Sequence, residues 1–242
     1  MKRSNKLSVS VIFLIFAFIL TSCGKSSNAN VMVKIPGTNF EMLQTEVTQK
    51  LYVSVMRENP SYFKGANNPV ETVSWYDAIY FCNKLSVAKG YEPVYSVDGN
   101  TDITKWNYTH HQGNSIEGAI TQNTSANGYR LPTEEEWQYA AKGGQDYTYA
   151  GSNEIDEVAW YRGNSNDKTH PVAQKKANGY GLYDMSGNVD EWCWDSYDHN
   201  SRYLCGGSWF TYYDCEVSIL SDCCYANDQS DILGFRIIRS VK

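Results

Sequence analysis

The chain has no basic tract beyond a short leader, which argues against a nucleic-acid surface and against electrostatic membrane contact. It has no Cys-x-x-Cys pair, and its four histidines are scattered, with His110-His111 read as a solvated loop pair. A zinc site is therefore not expected. It has no internal repeat and no second linker, which leaves one domain from about residue 31 onward. No apolar run is long enough to cross a bilayer: Val9 to Leu20 is twelve residues. Between Phe210 and Ile232 there is no Lys, Arg, Gly or Pro, and neither a helical nor a strand period.

What is present fits one sizeable core. The 242 residues are 42% hydrophobic and 14% aromatic. Nineteen Tyr and seven Trp suggest a loop-rich fold in which rings do much of the packing. The net charge of -6 becomes about -9 once Lys2, Arg3 and Lys6 of the leader are set aside. That leader, a basic start followed by a short apolar stretch, has the form of an export signal. Leu20-Thr21-Ser22-Cys23 resembles the bacterial lipoprotein cleavage box. Residues 1–22 are then the signal peptide, and residues 23–31 hold a lipidated Cys23 and a flexible tether. The alternative is an ordinary signal peptide in which Cys23 is incidental. Lipidation would place the chain in the bacterial cell envelope, with the outer membrane and surface exposure expected.

Export permits disulfides among the other six cysteines, Cys82, Cys193, Cys205, Cys215, Cys223 and Cys224, and the sequence does not choose the pairing. Three helices are expected. Thr48 caps the first, through about Arg57. Ser74-x-x-Asp77 has the form of a capping box, with Gly90 as the stop and Ala78, Ile79, Cys82 and Leu85 as the buried stripe. Thr133-x-x-Glu136 caps the third, which ends at Gly143-Gly144 and turns Trp137, Ala140 and Ala141 inward.

The motifs MVKIPGTNFEM, NPVETVSWYDAIYFCNKLS, NGYRLPTEEEWQYAAKGG, YGLYDMSGNVDEWCWD, GGSW and LGFR follow one another in this order. Together they resemble the sulfatase-modifying family, whose best-known member is formylglycine-generating enzyme. The resemblance runs from about Met32 to Arg239. It implies an α+β, C-type-lectin-like fold with two to three short helices, small antiparallel sheets and many loops. It also implies where enzymatic cysteines would stand: three residues after Ser208 and five further on. Those positions hold Thr211 and Glu216, and neither supplies a thiolate. Formylglycine chemistry is therefore not expected, and the chain is read as a non-enzyme.

A second resemblance concerns the segment from Cys205 to Leu233. Some proteins of this fold are the variable proteins of diversity-generating retroelements, in which a C-terminal segment is rewritten at template adenines. Starting from Asn codons, such rewriting gives every residue found between Phe210 and Ile232 except Glu216 and Gln229. The resemblance implies a ligand-binding face made of Phe210, Thr211, Tyr212, Tyr213, Asp214, Ile219, Ser221, Asp222, Cys223, Cys224, Tyr225, Asn227, Asp228, Ser230 and Asp231. Tyr supplies contact area at low entropy cost, and Ser, Asn and Asp supply adaptable hydrogen bonds. Trp209 and Phe235 would be buried anchors of a rigid frame. The ligand, a protein or a carbohydrate, is not identified by the sequence. The competing readings are ordinary packing with a solvated acidic edge, or a fixed interface of a structural lipoprotein.

Asp184-x-x-Gly187-x-Val189-x-Glu191 brackets a Gly-Asn turn with two carboxylates, and all-oxygen ligation suits calcium. The enzyme family binds calcium at this spacing, so a structural calcium ion is expected at Asp184, Gly187, Val189 and Glu191. The alternative is that Glu191 caps a turn and Asp184 satisfies backbone amides.

Overall fold

The computed structural model describes residues 30–212, 215–217 and 222–241. The leader, Cys23, Tyr213, Asp214, Ile219 and Ser221 lie outside the described residues.

The capping signals set the helices. Thr48 accepts from the Leu51 amide and opens α1 (Gln49–Met56), which stops at Arg57 in the left-handed conformation (φ 74°). Ser74 and Asp77 form a reciprocal capping box at α2 (Trp75–Ala88), and Thr133 and Glu136 form another at α3 (Glu134–Lys142). A further single turn, α4 (Ile155–Val158), was not expected; it has no side-chain cap, so nothing in its sequence announces it.

In chain order the strands are β1 (Met32–Lys34), β2 (Phe40–Leu43), β3 (Tyr95–Val97), β4 (Ile120–Gln122), β5 (Tyr129–Arg130), β6 (Asp190–Ser196), β7 (Ser201–Cys205), β8 (Asp222–Tyr225), β9 (Leu233–Gly234) and β10 (Ile238–Ser240). The order β1-β2-β10-β5 makes one sheet, which pairs the start of the domain with its end. Strands β3 and β4 form a hairpin-like pair. The third sheet runs β8-β7-β6-β9, antiparallel except for β9, which lies parallel to β6. The expected α+β, loop-rich architecture is the one observed.

The 210–232 segment is less irregular than its sequence suggests. Asp222–Tyr225 is a strand at the edge of the third sheet, paired with β7 from Leu204↔Asp222 to Ser201↔Tyr225. Its side chains have no apolar alternation because an edge strand held by backbone hydrogen bonds does not require one.

Two apolar clusters fill the interior. One joins α1 and α2 to Trp192, Leu204, Leu233 and Phe235. The other gathers Trp137, Ala140, Met185, Cys193, Cys205 and Ile238. Buried indoles are satisfied by backbone carbonyls: Trp75 Nε1 donates to Cys193 O and Trp192 Nε1 to Val73 O, each at 2.9 Å.

Candidate ligand-binding face

A frame holds both ends of the segment. Gly206 (φ 97°) brings the chain so close to α3 that a Cβ there would meet the Trp137 ring at 3.1 Å. Thr211 Oγ1 then ties the turn, accepting from the Ser208 amide at 2.9 Å and meeting Ser208 Oγ at 3.1 Å. Trp209 packs edge-on against Phe63, and its Nε1 donates to Asp231 O at 3.0 Å, which joins the segment's start to its end. Phe235 is buried against Tyr52 and Phe81. Trp209 and Phe235 are thus the anchors that were expected.

Within this frame some side chains turn outward, while Cys215, Val217 and Ala226 are buried. Trp209 is 7% exposed, but Phe210 next to it is 48% exposed, Tyr212 61% and Tyr225 60%. The Arg162 guanidinium lies 4.3 Å from the Phe210 ring centre and 5.0 Å from that of Tyr212. The Arg162 amide also donates to Thr211 O at 2.9 Å. Arg162 therefore props both rings while they stay exposed. It carries no sequence signal, being one loop residue far upstream. Asp222 and Asn227 are exposed as well, whereas Cys223, Cys224, Asp228, Ser230 and Asp231 are half-buried. Some of these polar groups serve the backbone: Asp228 Oδ2 accepts from the Tyr225 amide at 3.1 Å. Thr211 is half-buried and committed to the frame.

A cavity of about 440 Å³ opens beside this lip, and Phe210, Thr211, Glu216, Asp222 and Ile232 line it together with Asp190 and Ser208. Thr211 and Glu216, where the resemblance would place the enzymes' cysteines, both line this one space. Burial pushes the Asp190 carboxyl up to about 7, with Asp222 and Glu191 adding to the rise against a hydrogen bond from Ser208. The cavity wall thus holds an acid poised between charged and neutral forms at physiological pH. Cys205 also lines it, and its Sγ lies 3.5 Å from Cys193 Sγ, which sets these two buried thiols side by side.

The Asp184–Glu191 turn reaches the cavity through Asp190. Gly187 (φ 78°) has no room for a side chain, since a Cβ would meet Trp160 O at 2.3 Å. Glu191 accepts from Arg236 Nε and Nη2, both at 2.6 Å, and from Trp137 Nε1 at 2.6 Å. Asp184 Oδ2 accepts from the Ala173 amide at 2.7 Å, while its buried Oδ1 has no hydrogen-bond partner. Glu46, fully buried, accepts from Asn188 Nδ2 at 2.7 Å and from the Val189 amide at 3.2 Å. Burial pushes the Asp184 carboxyl up to about 6 and Glu46 well above the usual carboxylate range; Glu191 adds to both. The fit to a cation is partial. Asp184 Oδ1 is an oxygen in want of a partner, whereas Glu191 has both oxygens engaged and only its remaining lone pairs to offer.

The fold is that of a C-type-lectin-like domain, with Phe210, Tyr212 and Tyr225 exposed near its C-terminal end. Residues 20–241 match the family described as the sulfatase-modifying factor enzyme 1-like domain, and the chain belongs to that family. It is 37% identical over 278 aligned residues to the chaperone protein LppX of Paenibacillus barcinonensis, covering 95% of this chain and 98% of that one. The solved structure of Treponema denticola variable protein 1 superposes with a TM-score of 0.73 at 35% identity, covering 87% of this chain and 92% of that one. A shorter match, 39% over 98 residues, is to the inactive C-alpha-formylglycine-generating enzyme 2 of Bos taurus, a third of each chain. No helix among the described residues is long and apolar enough to cross a membrane.

Proposed function

We propose that this chain is a non-catalytic binding protein, held in the bacterial envelope by lipid on Cys23, that takes a protein or carbohydrate ligand on a diversified C-terminal face. The observation that carries the reading is the contrast inside one short stretch. Trp209 is buried in the frame, while Phe210 and Tyr212 stand exposed across Arg162 at the mouth of the cavity. Large exposed rings beside a polar cavity are what a recognition surface uses. The likeness to Treponema denticola variable protein 1 supports it. So does the loss of thiols at Thr211 and Glu216, which removes the chemistry of the enzymes.

Deep sequencing of the 3′ end of the gene across a growing population tests it. Changes gathered between residues 205 and 233, at codons explained by altered adenines, with the GGSW and GFR frames constant, are expected. A segment as constant as α1 and α2 would overturn diversification. It would favour a fixed subunit interface, for which the edge position of β8 is the supporting observation.

Calcium is proposed at the Asp184–Glu191 turn as a structural ion. Asp184 would be its principal carboxylate, with the Gly187 and Val189 carbonyls and a spare lone pair of Glu191. The ion would supply charge neutralisation among buried acids.

A further inference from the structure

Two histidines read from sequence as a solvated pair meet a carboxylate at the C-terminal end of α1. His110 Nδ1 contacts Glu58 Oε1, and His111 Nε2 lies 3.5 Å from the same oxygen. All three ligand atoms lie within 4.8 Å of one another. A tetrahedral ion with bonds of about 2.0–2.1 Å to nitrogen and oxygen sets neighbouring ligand atoms about 3.3–3.5 Å apart. His111 and Glu58 already stand at that separation, whereas His110 and Glu58 are closer and would move apart to admit the ion. His110 Nδ1 is buried against Glu58 Oε1.

The His111 ring is oriented from behind. Its amide donates to Asp77 Oδ1 at 3.0 Å, its Nδ1 faces Asp77 Oδ2 at 3.4 Å, and the Tyr52 hydroxyl lies 3.0 Å from its Nε2. A proton on Nδ1, toward the carboxylate, leaves an Nε2 lone pair that the Tyr52 hydroxyl meets at 3.0 Å and that an ion would take in its place. Metal-binding imidazoles are commonly held by a carboxylate in this way. Asp77 is in turn fixed by Ser74 and by the Tyr108 hydroxyl at 2.9 Å. Glu58 and Asp77 together carry the charge that a divalent ion balances, with Lys84, over the Tyr80 ring, as the nearby cation.

We propose that His110 Nδ1, His111 Nε2 and Glu58 Oε1 bind a borderline divalent transition-metal ion of the zinc class, with a fourth position open to water. The place gives the ion a task that holds whatever the ligand of the face. The loop that carries the two histidines continues to Gly113, whose carbonyl accepts from Asn227 Nδ2 at 3.1 Å. Asp77 accepts from Gln229 Nε2 at 3.0 Å. An ion bridging Glu58 to this loop braces the wall against which residues 227–229 rest.

Titration of the untagged full chain, stripped with EDTA, with Co²⁺ and then with competing Zn²⁺ tests the site. One ion per chain is expected, with the visible bands of a four-coordinate nitrogen and oxygen set and no thiolate charge-transfer band. Glu58→Gln and His110→Ala should each weaken binding by about tenfold or more. Glu58 is exposed, so its variant keeps the fold, which circular dichroism verifies. Hydrogen exchange of the amides in residues 108–113 should slow when the ion is added. Unchanged affinity in both variants, a thiolate band, or no binding at millimolar Co²⁺ would overturn the proposal.

Discussion

Arg236 holds Glu191 in a two-point ion pair, Nε to Oε2 and Nη2 to Oε1, each 2.6 Å, with neither side chain more than 1% exposed. The same guanidinium donates to the carbonyls of Tyr183, Asp184 and Leu43, so one side chain joins β6, the Asp184 turn and β2. Removing it leaves a buried carboxylate without its partner, and Arg236→Met should cost about 3–5 kcal/mol. Arg236→Lys should recover little, because an ammonium does not reproduce the planar fork. Urea unfolding measures both. A loss below about 1 kcal/mol, the scale of an exposed pair, would show that the pair does not hold this part of the fold together.

The unpartnered acid in the same region gives stability a pH dependence of definite sign. Burial holds Asp184 at about 6, whereas an unfolded Asp titrates near about 3.9. The native state thus binds this proton more tightly than the unfolded state does. The contribution to stability is full below about 3.9 and is lost as pH rises through about 6. The difference corresponds to at most about 3 kcal/mol. Glu46, also raised, acts in the same sense. In EDTA the melting temperature should therefore fall between pH 5 and pH 7.5, and Asp184→Asn should flatten that fall. A variant as pH-sensitive as the parent would place the effect elsewhere.

Much of this was legible in the sequence, and the rest was not for physical reasons. Ser74-x-x-Asp77 and Thr133-x-x-Glu136 announce their helices because a capping box is local, with both hydrogen bonds made within four residues. Trp209 and Phe235 are recognisable as anchors because they follow closely on Gly206 and Gly234, which demand close packing. Arg162 under Phe210, and Glu58 under His110, have no such signal: each pair is assembled by tertiary contacts between distant loops. Strand β8 was missed because its pairing is carried by backbone atoms, which leave no apolar period in DCCY. Glu191 was read as a calcium ligand from spacing and the family resemblance, neither of which gives a sign that Arg236 returns to both of its oxygens.

Calcium binding at the turn predicts a measurable gain on top of that ion pair. Saturation at about a hundredfold excess over Kd adds about 2.7 kcal/mol. For a domain of this size that raises Tm by about 5–10 °C. EDTA should reverse the gain, and Asp184→Ala should abolish it, since Asp184 Oδ1 is the one carboxylate oxygen of the turn recorded without a partner. Differential scanning calorimetry with and without calcium reads the effect. An unchanged Tm would mean that Arg236 alone supplies the positive charge among these acids, and that the turn is not a calcium site.

Display and frame should separate cleanly under mutation. Phe210, Tyr212 and Tyr225 are exposed, so lost burial alone should cost no more than about 0.5 kcal/mol when each is changed to serine. The lost contact with Arg162 adds about 0.5–1 kcal/mol for the first two. Phe235→Ala opens a cavity between Tyr52 and Phe81 and should cost about 3–5 kcal/mol. Trp209→Ala removes the packing on Phe63 and the hydrogen bond to Asp231 O, and should fall in the same range. Chemical denaturation of the five variants measures the contrast. The exposed positions can be rewritten freely only if the first group is cheap and the second is not. Equal costs in the two groups would mean that Phe210 and Tyr212 are part of the packing, and a face that tolerates diversification would be lost with that result.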